Sequence, residues 1–246
     1  MASTATSTMQ DCKPDDIRVL YEDNHLLGVF KPARVLVQGD KTGDETLLDK
    51  AKRYLKRKHK KPGNVFLGLI HRLDRPVSGV VMFARTSKAA SRLAEGFRLR
   101  RVEKSYLAIV HGLVEPESGE LEAFVERDHN RSRVSKAGSA KGKKALLSYR
   151  VLATDGDRTL LHVLPVTGRH HQIRVQLADA GYPVVGDVKY GAKTPLSDKS
   201  IALHAEELVI EHPTRDMEVV LAAPPVMTGP WKAFRATIES RFQSGE

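Results

Sequence analysis

Cysteine is almost missing from this chain: Cys12 is the only one in 246 residues. A lone thiol closes no intrachain disulfide and cannot supply a four-cysteine zinc site, and such scarcity fits a reducing compartment. Aromatic residues reach only 6%, which argues against stacking of many bases on rings as the main mode of nucleic-acid binding. Apolar runs such as Val80 to Ala84 are strand-sized, far short of a membrane span. The opening, Met1 to Thr8, is rich in Ala, Ser and Thr. It lacks the basic start and apolar stretch of a secretion signal. The expectation is a cytoplasmic protein with no membrane partner. Several site types are missing as well. There is no phosphate-binding P-loop, no G-x-S-x-G elbow and no H-E-x-x-H, and adjacent His170 and His171 cannot both face one metal from a helix. No metal site and no cofactor are expected.

Positive charge is what the chain has in excess. Forty Lys and Arg stand against 30 acidic residues, a net +10, which points to a polyanionic partner. Hydrophobic residues reach 41%, enough to bury a core. The length suits one large domain, or at most two small ones. Residues 1–15 are expected to be disordered, and 16–246 to form one domain acting as a monomer.

Strand patterns run over Ile17 to Tyr21, Leu26 to Phe30, Val65 to Ile70, Val80 to Ala84, Tyr106 to Val110, Leu146 to Leu152, Leu160 to Pro165, Leu203 to Ile210 and Met217 to Leu221. Helical spacing appears over Thr46 to Lys61, after a possible Ser87 cap, and over His170 to Ala180, where Gly181 stops it. A last helix carries Trp231, Phe234 and Ile238. Most strands follow one another without a crossover helix. That predicts an α+β domain with a long, mostly antiparallel mixed sheet and flanking helices.

Three segments carry possible chemistry. In His71 to Gly79, HRLDRPVSG, Asp74 lies between Arg72 and Arg75 on a turn between strands. Flanking positive charge favours the carboxylate form, which can act as nucleophile or base. A structural ion pair is the commoner reading of the same residues taken alone. In Thr167 to Gly191, residues Arg169, His170, His171, Gln172 and Arg174 cluster at a helix start, suited to an anion or to plain capping. Arg174 sits between Ile173 and Val175 and so points inward, where it needs a carboxylate. Asp74, Asp179 and Asp187 compete for it. Finally, Lys52 to Lys61 and Arg127 to Lys144 each hold seven Lys or Arg. The second, rich in Ser and Gly, reads as a flexible loop or ribbon tip that orders on phosphates, or as a solvated charge run.

The ordered motifs resemble the RluA-type RNA pseudouridine synthases over about Ile17 to Ala223. Asp23 to Lys31-Pro32 resembles the family's D-x-x-h-h-x-h-x-K-P element, and HRLDRPVSG its H-R-L-D-x-x-T-S-G. Lys104-Ser105-Tyr106 resembles K-x-Y, and Gly168 to Gly191 the G-R-x-H-Q-I-R…G-D-x-x-Y-G stretch. Leu203-His204-Ala205, His212-Pro213 and Ala223-Pro224 follow in the family's order. The resemblance implies an isomerase that converts uridines in structured rRNA or tRNA to pseudouridine without a cofactor, in a central RNA-binding cleft. It makes Asp74 the essential aspartate and Tyr106 the ring that packs on the target uracil. Arg174 becomes the partner of Asp74, and Arg72 supports the extruded nucleotide. Lys104, Arg169, His171 and Gln172 become RNA contacts, and Leu203 apolar packing near the base. Val77 stands where the family usually has Thr, and Gln176 where it usually has His. Neither replaces a catalytic group, so tuning rather than loss is expected. The rival class is a non-catalytic RNA-binding or ribosome-assembly protein on the same fold.

Overall fold

The structure is a computed structural model that describes residues 17–135, 139 and 141–244. The expectation for residues 1–15, and Cys12 with it, lies outside the described residues. The fold class is mixed α+β, built on a large, mostly antiparallel sheet with four α-helices among the described residues. The chain sorts into two compact units. One holds the chain up to Glu103 together with Glu207–Ala223, and the other holds Lys104–Glu206 and the chain from Pro224.

In the first unit β1 (Arg18–Glu22) pairs antiparallel with β2 (Leu26–Lys31), and β2 with β4 (Ser78–Ala84). All six residues of β2 are buried, as befits a strand covered on both faces. The short β3 (Gly68–Leu69) adds to β4. The longer strand expected over Val65 to Ile70 does not form. Gly68 lies so close to helix α2 (Ser87–Arg98) that a Cβ there would meet the Ala90 methyl at 2.9 Å. The second half of β10 (Leu203–Glu211) pairs with β11 (Glu218–Ala222). Leu26, Phe30, Val80, Met82, Leu93, Leu208, Ile210 and Leu221 form the core of this unit.

Helix α1 (Leu47–Lys58) begins as the sequence pattern predicts. Thr46 caps it, and Asp49 returns a hydrogen bond to the Thr46 backbone, so two orphan donors are satisfied at once. Its basic end is fastened to β1. Lys58, His59 and the Tyr54 hydroxyl all bond the Glu22 carboxylate. Burial alone would raise the Glu22 pKa, but these partners outweigh it and hold the group at about 2. Helix α2 is capped by Thr86, not Ser87. Thr86 has the extended backbone a cap requires and accepts from Ala89 N at 3.2 Å, whereas Ser87 is already in the first turn.

In the second unit β5 (Glu103–His111) pairs with β9 (Arg158–Pro165) and β9 with β8 (Lys143–Asp155). A strand that the sequence reading passed over, β6 (Ser118–Asp128), pairs with β8 on one side and with β7 (Arg131–Ser135) on the other. Much of the basic segment Arg127 to Lys144 is therefore a strand hairpin rather than a free loop. The alternation Glu120-Leu121-Glu122-Ala123 was the available signal. Helix α3 (Gln172–Asp179) runs to the Ala180 C-cap, and Gly181 follows at φ +91°. The last helical stretch is a 3-10 turn, Gly229–Phe234, leading into α4 (Arg235–Ser244). Arg241 anchors α4 to the buried Glu206 at 3.0 and 3.1 Å.

Candidate active site

The turn that carries Asp74 is held on both shoulders. His71 accepts from Met82 N at 3.0 Å, and its ring stacks on Phe97. Val77 N donates to the Asp74 carbonyl at 3.1 Å and closes the turn. On the far side Arg34 N donates to Arg75 O, and Arg75 Nε donates back to Arg34 O. The Arg75 guanidinium also pairs with Asp44. The fully buried Lys31, last residue of β2, donates to the carbonyls of Pro32 at 3.0 Å and Arg75 at 3.2 Å. Burial pulls the Lys31 ammonium down to about 7, with the Asp74 charge opposing and that of Arg75 adding to the fall. Sequence reasoning quoted Lys31 only as part of a motif and gave it no role. Its 0% exposure cannot be read from a Lys-Pro pair.

Asp74 itself is half-buried and Arg72 is exposed. Arg72 stands on a braced turn, and among the described residues its guanidinium has no side-chain partner. Val77, one of the two departures from the family pattern, is 3% exposed. It therefore fills the underside of the turn, and a hydroxyl there would need a partner.

In the second unit Lys104 and Tyr106 lie on β5, where Tyr106 is in register with Val163. Burial lowers the Lys104 pKa, and its Nζ lies 3.7 Å from where a Cβ on Gly168 would stand. The loop before α3 is folded around Gln172. The Gln172 Oε1 accepts from the Thr167 hydroxyl at 2.7 Å and from Arg169 N at 3.0 Å, and its amide donates to Leu146 O at 3.1 Å. Arg169 Nε donates to Lys144 O. Gln172 is thus a brace of this loop, 4% exposed, while Arg169 stands partly exposed at its rim. His171 is held in the left-handed backbone region at φ +54°. Burial, then the charges of Arg174 and His170, push it down to about 2, so it is a neutral imidazole rather than a cation.

Arg174 is buried, as its apolar flanks predict. Its Nε and Nη2 reach Asp187 at 2.7 and 2.9 Å, so Asp187 is one carboxylate of the three that the sequence left in competition. The exposed Asp179 lies at the other end of α3. Gln176, the other departure, donates to Leu121 O at 2.8 Å and Ala145 O at 3.4 Å. It ties α3 to β6 and β8. Leu203 is buried at the start of β10, next to His204, whose ring meets Trp231 edge-on. Among the described residues, no group of three or more His, Cys, Asp or Glu side chains could hold a metal ion, and no helix is long and apolar enough to cross a membrane.

Known proteins resemble this chain over most of its length. A family model described as RNA pseudouridylate synthase matches residues 25–179. Ribosomal large subunit pseudouridine synthase D of Borreliella burgdorferi is 34% identical over 83% of this chain and 65% of its own. The protein of the same name from Xylella fastidiosa is 36% identical over 87% of this chain and 68% of its own. The chain thus spans about two thirds of the length of these relatives. A solved structure of human RNA pseudouridylate synthase domain containing 4 shares the fold, with a TM-score of 0.74 at 24% identity over 90% of this chain and 93% of its own.

Proposed function

The chain belongs to the RNA pseudouridylate synthase family, and on that premise we propose that it isomerises chosen uridines in RNA to pseudouridine, with Asp74 as the essential carboxylate. Tyr106, Arg174, Arg72 and Leu203 take the roles that the resemblance gives them. The observation that carries this reading is the bracing of the HRLDRPVSG turn, with a buried lysine beneath it and an unspent arginine beside the aspartate. A carboxylate that must meet C1′ or C2′ of a ribose needs such a fixed mount.

The reaction breaks the C1′–N1 bond, rotates the uracil and joins C1′ to C5; the C5 hydrogen leaves as a proton and N1, freed from the sugar, takes one up. One carboxylate serves either route to the first step, attack on C1′ or removal of the C2′ proton to give a glycal. Water is not a reactant, because the base is its own acceptor. The target nucleotide has to leave its stack, at a cost on the order of a few kcal/mol, and Arg72 with the basic segments offsets that cost. Lys104 and Arg169 offer charge to the phosphates. His171 offers a neutral contact, and Gln172 acts through the loop that it shapes. The relatives' names make ribosomal large-subunit RNA the first substrate to test, with transfer RNA as the comparison. A monomer working in the cytoplasm completes the proposal.

RNA carrying tritium at uridine C5 tests the reaction. Tritium released to water should match pseudouridine formed, one for one and after exhaustive chelation, with no free uracil. Free uracil in equal measure would make the protein a hydrolase. Binding with neither product would make it a passive RNA-binding protein.

A further inference from the structure

Tyr190 has no role in the reading so far, yet it stands where three parts of the second unit meet. It ends the 3-10 turn Val188–Tyr190, whose N-cap is Asp187. That one turn delivers two groups to Arg174. The Asp187 carboxylate takes the edge of the guanidinium, and the Tyr190 ring covers its face at 5.0 Å. Edge and face together fix the plane of a guanidinium, which an ion pair alone leaves free to tilt.

The hydroxyl of the same ring is bonded on both sides. Ser132 N, on β7, donates to it at 2.8 Å, and it meets Nδ1 of His171 at 2.7 Å. The amide occupies one lone pair of the phenol oxygen, and in the arrangement proposed below the phenol donates to Nδ1 while the His171 ring carries its own proton on Nε2. The depressed pKa of His171 agrees with this neutral form. Next to it His170 stacks on His171 at 3.8 Å. Ser132 Oγ donates to the His170 carbonyl at 2.6 Å and meets His170 Nδ1 at 2.9 Å. Lys189 adds a bond to the Asn130 carbonyl in the hairpin turn. The left-handed backbone of His171, strained for a residue with a Cβ, is what aims its ring at Tyr190.

We propose that Tyr190 is a positioning residue for the reaction: its ring sets the plane of Arg174, and its hydroxyl ties that guanidinium to the basic β6–β7 hairpin. The hairpin is held by its own ladder to β6, so it keeps its cations for RNA whether or not the tie is present. What the tie adds is register between RNA seated on the hairpin and the arginine of the site. This rests on the proposed pseudouridine synthase reading.

Tyr190→Phe keeps the ring and removes the tie, and Tyr190→Leu removes both. For Tyr190→Phe we expect the single-turnover rate to fall about tenfold, equivalent to ~1.4 kcal/mol of barrier. RNA affinity should stay within about threefold of the parent, less than half of that energy. Tyr190→Leu should fall further in rate. A second readout needs no RNA. Nitrogen-15 NMR of His171 should show the proton on Nε2 in the parent and a mixed tautomer in Tyr190→Phe. A parental rate in Tyr190→Phe would overturn the proposal, as would a loss carried wholly by affinity or an unchanged His171 tautomer. If the parent itself forms no pseudouridine, the functional reading fails, and the His171 spectra still decide whether the tie exists.

Discussion

Lys31 donates from the end of β2 to the carbonyl of Arg75, 44 residues later in the chain, at 3.2 Å. The bond makes the mount of Asp74 sensitive to pH. Folding moves the Lys31 pKa from 10.5 to about 7. Between those values the unfolded chain holds the extra proton, so this group makes stability rise with pH across that window. Below about 7 the buried cation weighs fully against folding. A neutral amine still donates to both carbonyls, so the bonds outlast the charge. Lys31→Met should flatten the rise between pH 7 and 10.5 in urea-denaturation midpoints. Identical slopes for the two proteins would show that Lys31 keeps its proton when buried.

Asp74→Asn preserves the size of the side chain and the Val77 N–H bond to the Asp74 carbonyl, and removes only the reactive group. Pseudouridine formation should drop below detection in single turnover, while RNA affinity stays within about threefold, because the cations that hold phosphates are untouched. Appreciable product from this variant would remove Asp74 from the chemistry.

A third expectation concerns the Asp187 carboxylate, 1% exposed against Arg174. Asp187→Asn takes the Asp187 charge away from a buried guanidinium. Breaking one side of such a pair costs roughly 3–5 kcal/mol, whereas the exposed Asp179→Asn should stay within about 0.5 kcal/mol. Chemical denaturation of both variants measures the contrast, and equal small losses would mean that the Arg174 charge is neutralised elsewhere.

Much of this was legible in the sequence because it lies in local pattern. The start of α1 at Thr46, the Gly181 stop and the inward turn of Arg174 follow from a few neighbouring residues. The ordered motifs fixed the family. What stayed hidden depends on partners far apart in the chain. Nothing near Lys31 says that its ammonium lies under Arg75, and nothing near Ser132 says that its amide reaches Tyr190. Strand β6 was missed for a different reason. Its charges drew attention to solvent, while the alternation of Glu120 to Ala123 that marks β6 went unread. Gln176 shows the same limit, since its amide bridges to Leu121 O, 55 residues away.

The basic segment around β7 and the start of β8 gives the last prediction. Lys141, Lys143 and Lys144 are exposed, and Lys144 shares its charge with Glu122 at 2.9 Å. Exposed lysines are point charges that meet phosphates without reading bases. Changing all three to Gln should weaken binding to every RNA by a similar factor. Each phosphate contact carries a salt-dependence slope of about 0.7–0.9, so the triple variant should lose about two units of slope, with Lys144 giving the smallest share. The chemical step on bound RNA should not change, because none of the three side chains is among those bonded to Arg174, whose partners include Asp187 and the Tyr190 ring. Binding titrations at four salt concentrations, with matched ribosomal and transfer RNA fragments, make the measurement. Loss confined to one RNA at an unchanged slope would show that these lysines read a particular structure rather than supply charge.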